Sequence, residues 1–201
     1  GVGAGVRASG ALAVAFSVGA AGSSSLRRPV ARSGCGCIVE ASTGVVIVAG
    51  AHPDAVRGAI RTRDRRVSVI DHPAWREGQL SSLLCGLEAL EQPRLEAVLV
   101  TLVDVPLVSP ETVRALMREW RATGAPLVRP AQGDRHGHPV LFDRRLFGEL
   151  RAADLRAGAK PVVHAHAHEL VNLPVTDDGA FADLDVPEDY ERMVGMIGGG
   201  K

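Results

Sequence analysis

The sequence predicts an α/β protein in which helices cover both faces of a mostly parallel sheet. Apolar, β-branched runs typical of buried strands alternate along the chain with segments whose apolar residues have a helical spacing. The clearest run, VLVTLVDVPLVSP at residues 98–110, contains a strand that ends at Asp104. This alternation is typical of a three-layer αβα sandwich, and 201 residues suit a single domain of that kind.

The other elements follow from the same two patterns. Gly78 forms a turn before a helix whose leucines recur three and four residues apart. Ser109 is a predicted N-cap, and Pro110 takes the first position of the helix after the central strand. In chain order, strands are predicted over residues 11–18, 44–49, 67–70, 98–104, 125–129, 140–142 and 169–175, and helices over 53–60, 75–90, 110–120, 143–152 and 157–167.

The domain is predicted to span residues 1–196, with a disordered glycine-rich tail at 197–201. Residues 26–42 have no helical period, and residues 132–139 read as a polar turn. Residues 10–22 imitate the core of a signal peptide. They are too short to span a membrane, and a strand that enters a glycine-rich turn explains them equally well.

Composition argues against several classes of partner. Formal net charge is zero, so no basic field attracts nucleic acid or an anionic membrane, and the 3% aromatic content leaves few stacking platforms. The cysteines Cys35, Cys37 and Cys85 form no CxxC pair, which favours reduced thiols and a cytoplasmic protein. We therefore expect a cytoplasmic protein without nucleic-acid or membrane partners.

Asp104 is the leading functional candidate. Ligands in open α/β sheets bind outside the carboxyl ends of the strands, where this acid is predicted to lie. The structural alternative is a turn or helix-capping residue. Ser109 already provides the cap for the following helix, which favours a functional role for Asp104.

Other polar segments have simpler readings. The loop at 19–25, GAAGSSS, is of the type that brings backbone N–H groups to an anion. The HAHAH run at 164–168 lacks carboxylates or cysteines spaced to complete a metal site; on the predicted helix only His164 and His168 share a face. Trp75 and Trp120 are expected to pack in the core or on a helix face.

Six segments occur in an order that resembles the MobA-like nucleotidyltransferases, most closely the molybdenum cofactor cytidylyltransferase branch. The resemblance extends from residue 11 to 193 and rests on AAGSSS (20–25), VVIVAGAHPDAVRGAI (45–60), HPAWREGQLSSLLCGLEAL (72–90), VLVTLVDVPLVSPETVRAL (98–116), GHPVLFDRRLF (137–147) and DLDVPEDYERM (183–193). It implies a Rossmann-like, glycosyltransferase-A-like fold. It also implies Mg²⁺-dependent transfer of a nucleoside monophosphate from a nucleoside triphosphate, with release of pyrophosphate.

The resemblance assigns roles to particular residues. Asp104 matches the family's metal-binding aspartate, with Asp183 and Asp185 as further Mg²⁺ ligands, although Asp185 could equally cap the last helix. Asp104, Asp185 and Arg28 are the implied catalytic residues. The residues implied to contact the nucleotide or acceptor are Ala21, Gly22, Ser23, Ser24, Ser25, Gly50, Gly78, Ser81, Ser82 and His138.

One loop departs from the family pattern. Only the first half of its AAGxSxRMG segment matches, and Leu26 and Ala31 stand where the family has an arginine and a lysine. Arg27, Arg28 and Arg32 lie nearby, and arginine can bind phosphate with two hydrogen bonds. The difference is compatible with functional substitution, with a degenerate enzyme, or with a shifted reading frame in the coding sequence.

The predicted activity is the transfer of CMP from CTP to the molybdopterin molybdenum cofactor, and CTP over GTP rests on overall likeness alone. Its expected partners are the nucleotide, the acceptor, and a molybdoenzyme or its maturation factor. Two alternatives stay open: a non-catalytic cofactor-binding or escort protein with a degenerate nucleotide loop, and nucleotidyl transfer to another phosphorylated small molecule.

Overall fold

Eight strands form one sheet in a computed structural model that describes residues 11–18, 42–60, 62–90, 93–102, 104–105 and 107–182. The spatial order is β3-β2-β1-β4-β7-β5-β6, and β8 pairs with β5 beside this path. The strands are β1 Ala11–Val18, β2 Gly44–Ala49, β3 Val67–Asp71, β4 Leu95–Leu102, β5 Leu127–Gln132, β6 Arg135–His136, β7 Val140–Asp143 and β8 Val171–Pro174.

The sheet has a parallel half and a mixed half. Strands β1 to β4 pair in parallel with one another. Strand β7 lies between β4 and β5 and runs antiparallel to both, and β6 is antiparallel to β5. Strand β8 returns parallel to β5. The predicted α/β class is confirmed, and the inserted antiparallel strand is the feature that the sequence pattern did not indicate.

Helices cover both faces of the sheet, as the three-layer prediction requires. They are α1 Pro53–Ala59, α2 Gln79–Leu90, α3 Pro110–Thr123, α4 Phe147–Ala152 and α5 Lys160–Ala165. Alternate residues of a strand point to opposite faces. Val45 and Ile47 of β2 accordingly join the core formed with α1 and α3, whereas Val46 and Val48 join the core formed with α2, α4 and α5.

Several predicted elements are shorter or broken. The central strand ends at Leu102, so Asp104 lies in the turn beyond it. The helix predicted at 143–152 is the end of β7, a 3₁₀ turn at Arg144–Leu146 and then α4. The helix predicted at 75–90 is likewise a 3₁₀ turn at Trp75–Glu77 followed by α2, and the one at 157–167 shortens to α5.

Helix α3 begins and ends as its sequence indicates. The backbone N–H of Thr112 donates to the Ser109 hydroxyl at 3.1 Å, which confirms the N-cap. Gly124, with φ of 65°, ends the helix in the left-handed conformation that glycine favours. Trp120 on this helix is buried, as expected. None of the helices in the described part of the chain is long and apolar enough to cross a membrane.

Candidate functional site

The carboxyl ends of the four parallel strands meet at one edge of the sheet. Gly50 follows β2 directly at this edge, and Asp104 follows β4 by two residues. Because β7 is antiparallel to β4, with Val140 opposite Val100, its amino end brings His138 to the same edge. The strand directions thus bring residues from distant parts of the chain to one place.

Asp104 lies in a tight turn after β4. The backbone N–H of Val105 donates to the carbonyl of Leu102 at 3.3 Å, which folds the chain back at this point. Asp104 is half-buried and its Oδ1 atom is shielded from solvent. A carboxylate held this way is a suitable hard oxygen ligand for Mg²⁺, which takes only one or two protein carboxylates when it also binds phosphates.

The segment from Gly78 to Ser82 follows β3 and includes the first turn of α2. Gly78 has φ of 117°, and a Cβ there would lie 3.2 Å from the carbonyl oxygen of Leu155, so a glycine allows the two segments to approach closely. The Ser81 hydroxyl donates to the Gly78 carbonyl at 2.7 Å and lies 2.9 Å from Nε2 of His72. Ser81 therefore stabilises this turn, while Ser82 lines the adjacent cavity.

His138 lies between β6 and β7, where its ring reaches the end of β4. Its Nδ1 atom is 3.4 Å from the carbonyl oxygen of Val100, and its backbone N–H donates to the Ala180 carbonyl at 2.9 Å. A Cβ at Gly137 would lie 2.2 Å from that carbonyl oxygen, so this position requires glycine. The GHP segment is thus packed against the 3₁₀ turn at Asp178–Phe181.

Asp177 connects that turn to the start of α3. Its Oδ2 atom accepts hydrogen bonds from the Ser109 backbone N–H (2.8 Å) and the Thr112 hydroxyl (2.6 Å), and its Oδ1 atom accepts from the N–H of Gly179 (3.1 Å). A Cβ on Gly179 would lie 2.1 Å from the carbonyl oxygen of Leu107. The segment that leads to residue 183 is therefore fixed beside the loop that carries Asp104.

A cavity of about 670 Å³ lies between α2, the ends of β4 and β7, and residues 155–164. It contains three of the predicted site residues, Gly78, Ser82 and His138, and its wall at Leu102 is two residues from Asp104. Its volume is in the range of small-molecule sites. Gly50 lies at the same sheet edge but outside the residues that line this cavity.

The lining of the cavity combines basic and apolar side chains. Arg129, Arg156 and Lys160 line it together with a single carboxylate, Glu77. The Nε atom of Arg129 donates to the Asn172 amide oxygen at 2.8 Å. Burial lowers the pKa of Arg129, although a guanidinium remains charged at neutral pH. These cations could not be predicted from the sequence, because they come from β5, a loop and α5, which only the tertiary structure brings together.

The remaining predicted site residues lie outside the described part of the chain. These are Ala21, Gly22, Ser23, Ser24, Ser25 and Arg28, which follow β1 in the sequence, and Asp183 and Asp185 near its end. Among the described residues, no group of three or more histidine, cysteine, aspartate or glutamate side chains is arranged to hold a metal ion. Asp104 remains as one predicted carboxylate ligand, and its predicted co-ligands are the two aspartates after residue 182.

The histidine run is divided between a helix end and turns. Helix α5 ends at Ala165, so the shared helical face expected for His164 and His168 does not form. His164 lines the cavity. The two ring nitrogens of His166 contact Glu149 (2.9 Å) and Glu169 (3.1 Å), and these hydrogen bonds raise the pKa of His166. His166 therefore links α4 to the turn before β8.

Solved structures with the same fold were found across several organisms. The manganese complex of Rv0371c from Mycobacterium tuberculosis has a TM-score of 0.71 at 23% identity, covering 92% of this chain and 98% of that one. The 4-diphosphocytidyl-2C-methyl-D-erythritol synthase from Anaerococcus prevotii has a TM-score of 0.71 at 14% identity, with coverages of 94% and 96%. Molybdopterin-guanine dinucleotide biosynthesis protein A from Archaeoglobus fulgidus has a TM-score of 0.64 at 18% identity, with coverages of 92% and 98%.

These likenesses establish the fold. No curated protein matches the sequence. A family match covers residues 27–170, which include β2 to β7, the turn of Asp104 and the whole cavity, and it begins just after the glycine- and serine-rich loop at 19–25. Since this match spans most of the chain, the protein belongs to the family of the MobA-like NTP transferase domain, a family of nucleotidyltransferases.

Proposed function

We propose that this protein transfers a nucleoside monophosphate, CMP from CTP, to a molybdopterin-type phosphorylated acceptor with Mg²⁺ as its metal. We further propose that it does so in the cytoplasm and that it passes its product to a molybdoenzyme or its maturation factor. One observation carries the proposal: the half-buried carboxylate of Asp104 follows the central strand, two residues from the wall of a cavity large enough for an acceptor. Family membership supports the class of reaction.

The proposed reaction needs no covalent enzyme intermediate. An oxygen of the acceptor phosphate attacks the α-phosphorus of the nucleotide, the bond from that phosphorus to the oxygen bridging to the β-phosphate breaks, and pyrophosphate leaves with the electron pair. Such transfers depend on positioning and on neutralising charge. A Mg²⁺ ion bound by Asp104 with Asp183 or Asp185 would neutralise charge on the triphosphate.

Different residues of the chain are assigned to the nucleotide and to the acceptor. Backbone N–H groups of residues 21–25 and the guanidinium of Arg28 are assigned to the triphosphate, and Gly50 to the nucleoside side. Ser82 and His138 line the cavity and are assigned to the acceptor. Ser81 is assigned a positioning role, because its hydroxyl is engaged with Gly78 and His72.

Pyrophosphate release tests the proposal. The full chain is incubated with molybdopterin and Mg²⁺ together with CTP, GTP or ATP in separate reactions, and Mn²⁺ replaces Mg²⁺ in a parallel series because one similar structure is a manganese complex. CTP is expected to give the fastest release. The absence of pyrophosphate release with all three nucleotides and both metals contradicts the proposal.

The acceptor needs its own comparison. Two similar structures are those of a diphosphocytidyl-methylerythritol synthase and a molybdopterin-guanine dinucleotide biosynthesis protein, whose names differ in both base and acceptor. A sugar phosphate or a phosphorylated alcohol is therefore assayed beside molybdopterin. Faster pyrophosphate release with either would replace molybdopterin as the acceptor while retaining the transferase.

A second candidate is a non-catalytic cofactor-binding or escort protein. The observation that favours it is the departure from the family's nucleotide-binding pattern: Leu26 and Ala31 replace its cations, and residues 19–25 precede the family match that begins at residue 27. Calorimetry with CTP and GTP separates the two candidates. Pterin binding without nucleotide binding at millimolar Mg²⁺ supports the escort protein, whereas binding of both substrates supports the transferase.

A further inference from the structure

Arginines in the described part of the chain differ in whether they pair with a carboxylate. Arg57, Arg66 and Arg118 each form an ion pair with a carboxylate at 2.6–2.7 Å. Within the described ranges, by contrast, the side chains of Arg156 and Lys160 form no hydrogen bond or ion pair, although both line the cavity. Two cations facing one cavity with no carboxylate bound to them favour an anionic occupant.

A third cation is fixed beside them. Arg129 lines the same cavity and is held by Asn172 through a bond between two neighbouring strands, β5 and β8. Glu77 contributes the single negative charge of the lining. The lining therefore keeps an excess of positive charge with histidine counted as neutral.

The rest of the cavity suits an apolar body. Leu80 and Leu83 of α2, Phe142 of β7, Leu155 and Val163 form its apolar wall. A volume of about 670 Å³ exceeds what a bare phosphate ion fills and matches a small organic molecule. The occupant indicated by this lining carries both an anionic group and an apolar body.

The cavity lies on one side of the central strand β4, and β1, β2 and β3 lie on the other side. It is built on β4, β7 and residues 155–164, with Arg129 from β5. Residues 21–25, which are assigned to the triphosphate, follow β1 in the sequence, and β1, β2 and β3 lie on the opposite side of β4 from β7. An anion in this cavity therefore belongs to the second substrate.

We propose that Arg156 and Lys160 bind the phosphate group of the acceptor, while Leu80, Leu83 and Leu155 pack against its apolar body. This inference rests on the proposed transferase function and names the acceptor class, a phosphomonoester with a flat or apolar body. Arg129, fixed by Asn172, contributes positive charge to the same cavity.

Binding of phenyl phosphate tests this assignment without catalysis. The ¹⁵N-labelled full chain is titrated with phenyl phosphate, and the amide signals of Gly78 and Gly158, which line the cavity, are followed. The unsubstituted protein should bind with a Kd of about 1–10 mM, a range typical of a fragment-sized ligand. The double variant R156Q/K160Q should bind at least about tenfold more weakly, because each charge-assisted hydrogen bond contributes about that factor.

Matched variants make the result specific. R65Q removes an exposed arginine from the turn before β3 and should leave phenyl phosphate binding unchanged. K160R keeps the charge and should retain most of the affinity. The double variant and the unsubstituted protein should bind benzyl alcohol, which lacks the phosphate, with similar affinity. Circular dichroism confirms that each variant is folded.

Three outcomes overturn the assignment. The first is that the unsubstituted protein does not bind phenyl phosphate at about 10 mM, the weak end of fragment affinities. The second is that R156Q/K160Q binds phenyl phosphate equally well, and the third is that this variant loses affinity for CTP while its phenyl phosphate binding is unaffected. The last outcome would assign the cations to the nucleotide triphosphate. The proposed function fails separately, through absent pyrophosphate release, and in that case retained phenyl phosphate binding that depends on these cations still supports an anion-binding cavity.

Discussion

The two sides of the central strand β4 are built on different principles. On one side, β1, β2 and β3 run parallel and end at the same edge of the sheet, the edge at which ligands of open α/β sheets generally bind. On the other side, β7 is inserted antiparallel between β4 and β5, and the cavity takes its walls from α2, two strands and the segment 155–164. The first side repeats one type of strand end from strand to strand, whereas the second is assembled from segments that only the folded chain brings together.

We infer from this difference which side of β4 selects the proposed acceptor. Strand ends of a parallel sheet can position a metal ligand, the role proposed for Asp104, with few demands on the neighbouring sequence. A cavity built from separate segments can change its lining residue by residue, so the mixed side is the one suited to selecting the acceptor. The two sides should therefore respond differently to substitution.

The largest effect is expected at the junction of the two sides. Asp104→Asn removes the carboxylate charge while keeping the shape, and pyrophosphate release should fall about 10²–10³-fold, as when one charge-stabilising group is removed from a site. Asp134→Asn, in the exposed turn after β5, should remain within about twofold, since exposed substitutions have small effects. Phenyl phosphate binding should be unchanged in both variants. An Asp104→Asn variant within about threefold of the unsubstituted rate would remove this residue from the metal site, since a lost ligand costs far more.

A medium effect is expected where the mixed side is tied to the Asp104 loop. Gly179→Ala would place a methyl group 2.1 Å from the Leu107 carbonyl oxygen, so the backbone must shift. The free energy of unfolding should fall by about 1–3 kcal/mol, the usual cost of overpacking. Urea denaturation measures this change.

Gly148→Ala is the matched control for that substitution. Gly148 lies in α4, and a Cβ there meets nothing within 4 Å. Stability should rise by about 0.5–1 kcal/mol, because alanine is a better helix former than glycine. Equal losses in both variants would show that the close contact between Gly179 and Leu107 does not constrain the fold.

The smallest effect is expected at His166, which links α4 to the turn before β8. Hydrogen bonds to Glu149 and Glu169 raise its pKa above the usual 6.5, and the bond to His166 lowers the pKa of Glu169 below the usual 4.5. The contribution of His166 is complete below pH 6.5 and is lost as pH rises through its raised pKa. That of Glu169 is complete above pH 4.5 and is lost as pH falls through its lowered pKa.

Thermal unfolding of His166→Gln checks this window. The variant should unfold a few degrees below the unsubstituted protein at a pH between 4.5 and 6.5, where both contributions are present. The difference should shrink in mildly alkaline buffer. Both glutamates are largely exposed, so solvent screening keeps the effect small. A difference that grows with pH would contradict this sign.

The parallel side could be predicted from the sequence almost completely. Uninterrupted apolar runs such as residues 44–49 have one reading, and β1 and β2 have the predicted bounds. Asp104 was located because an acid that ends such a run has few structural explanations. The antiparallel direction of β7 could not be predicted, since four residues carry no signal of direction and the connections around it are short.

The basic lining of the cavity could not be predicted for a related reason. Arg156 and Lys160 lie in a stretch where charged residues are ordinary surface groups. Nothing in their spacing indicates that they line the same cavity as Leu80 and Phe142. Asp177 was missed for the same reason: its partners Ser109 and Thr112 lie more than sixty residues away in the sequence. Contacts across such distances are fixed by topology and leave no local pattern.

Transfer of an isotopic label tests the central claim most directly. CTP labelled in its α-phosphate is incubated with molybdopterin, Mg²⁺ and either the unsubstituted protein or Asp104→Asn, and the label is followed into the acceptor. The label should appear joined to the acceptor phosphate, in step with unlabelled pyrophosphate, and the Asp104→Asn variant should form little of this product. Label that stays in CTP with the unsubstituted protein, or equal transfer by the variant, would contradict a nucleotidyl transfer built on Asp104.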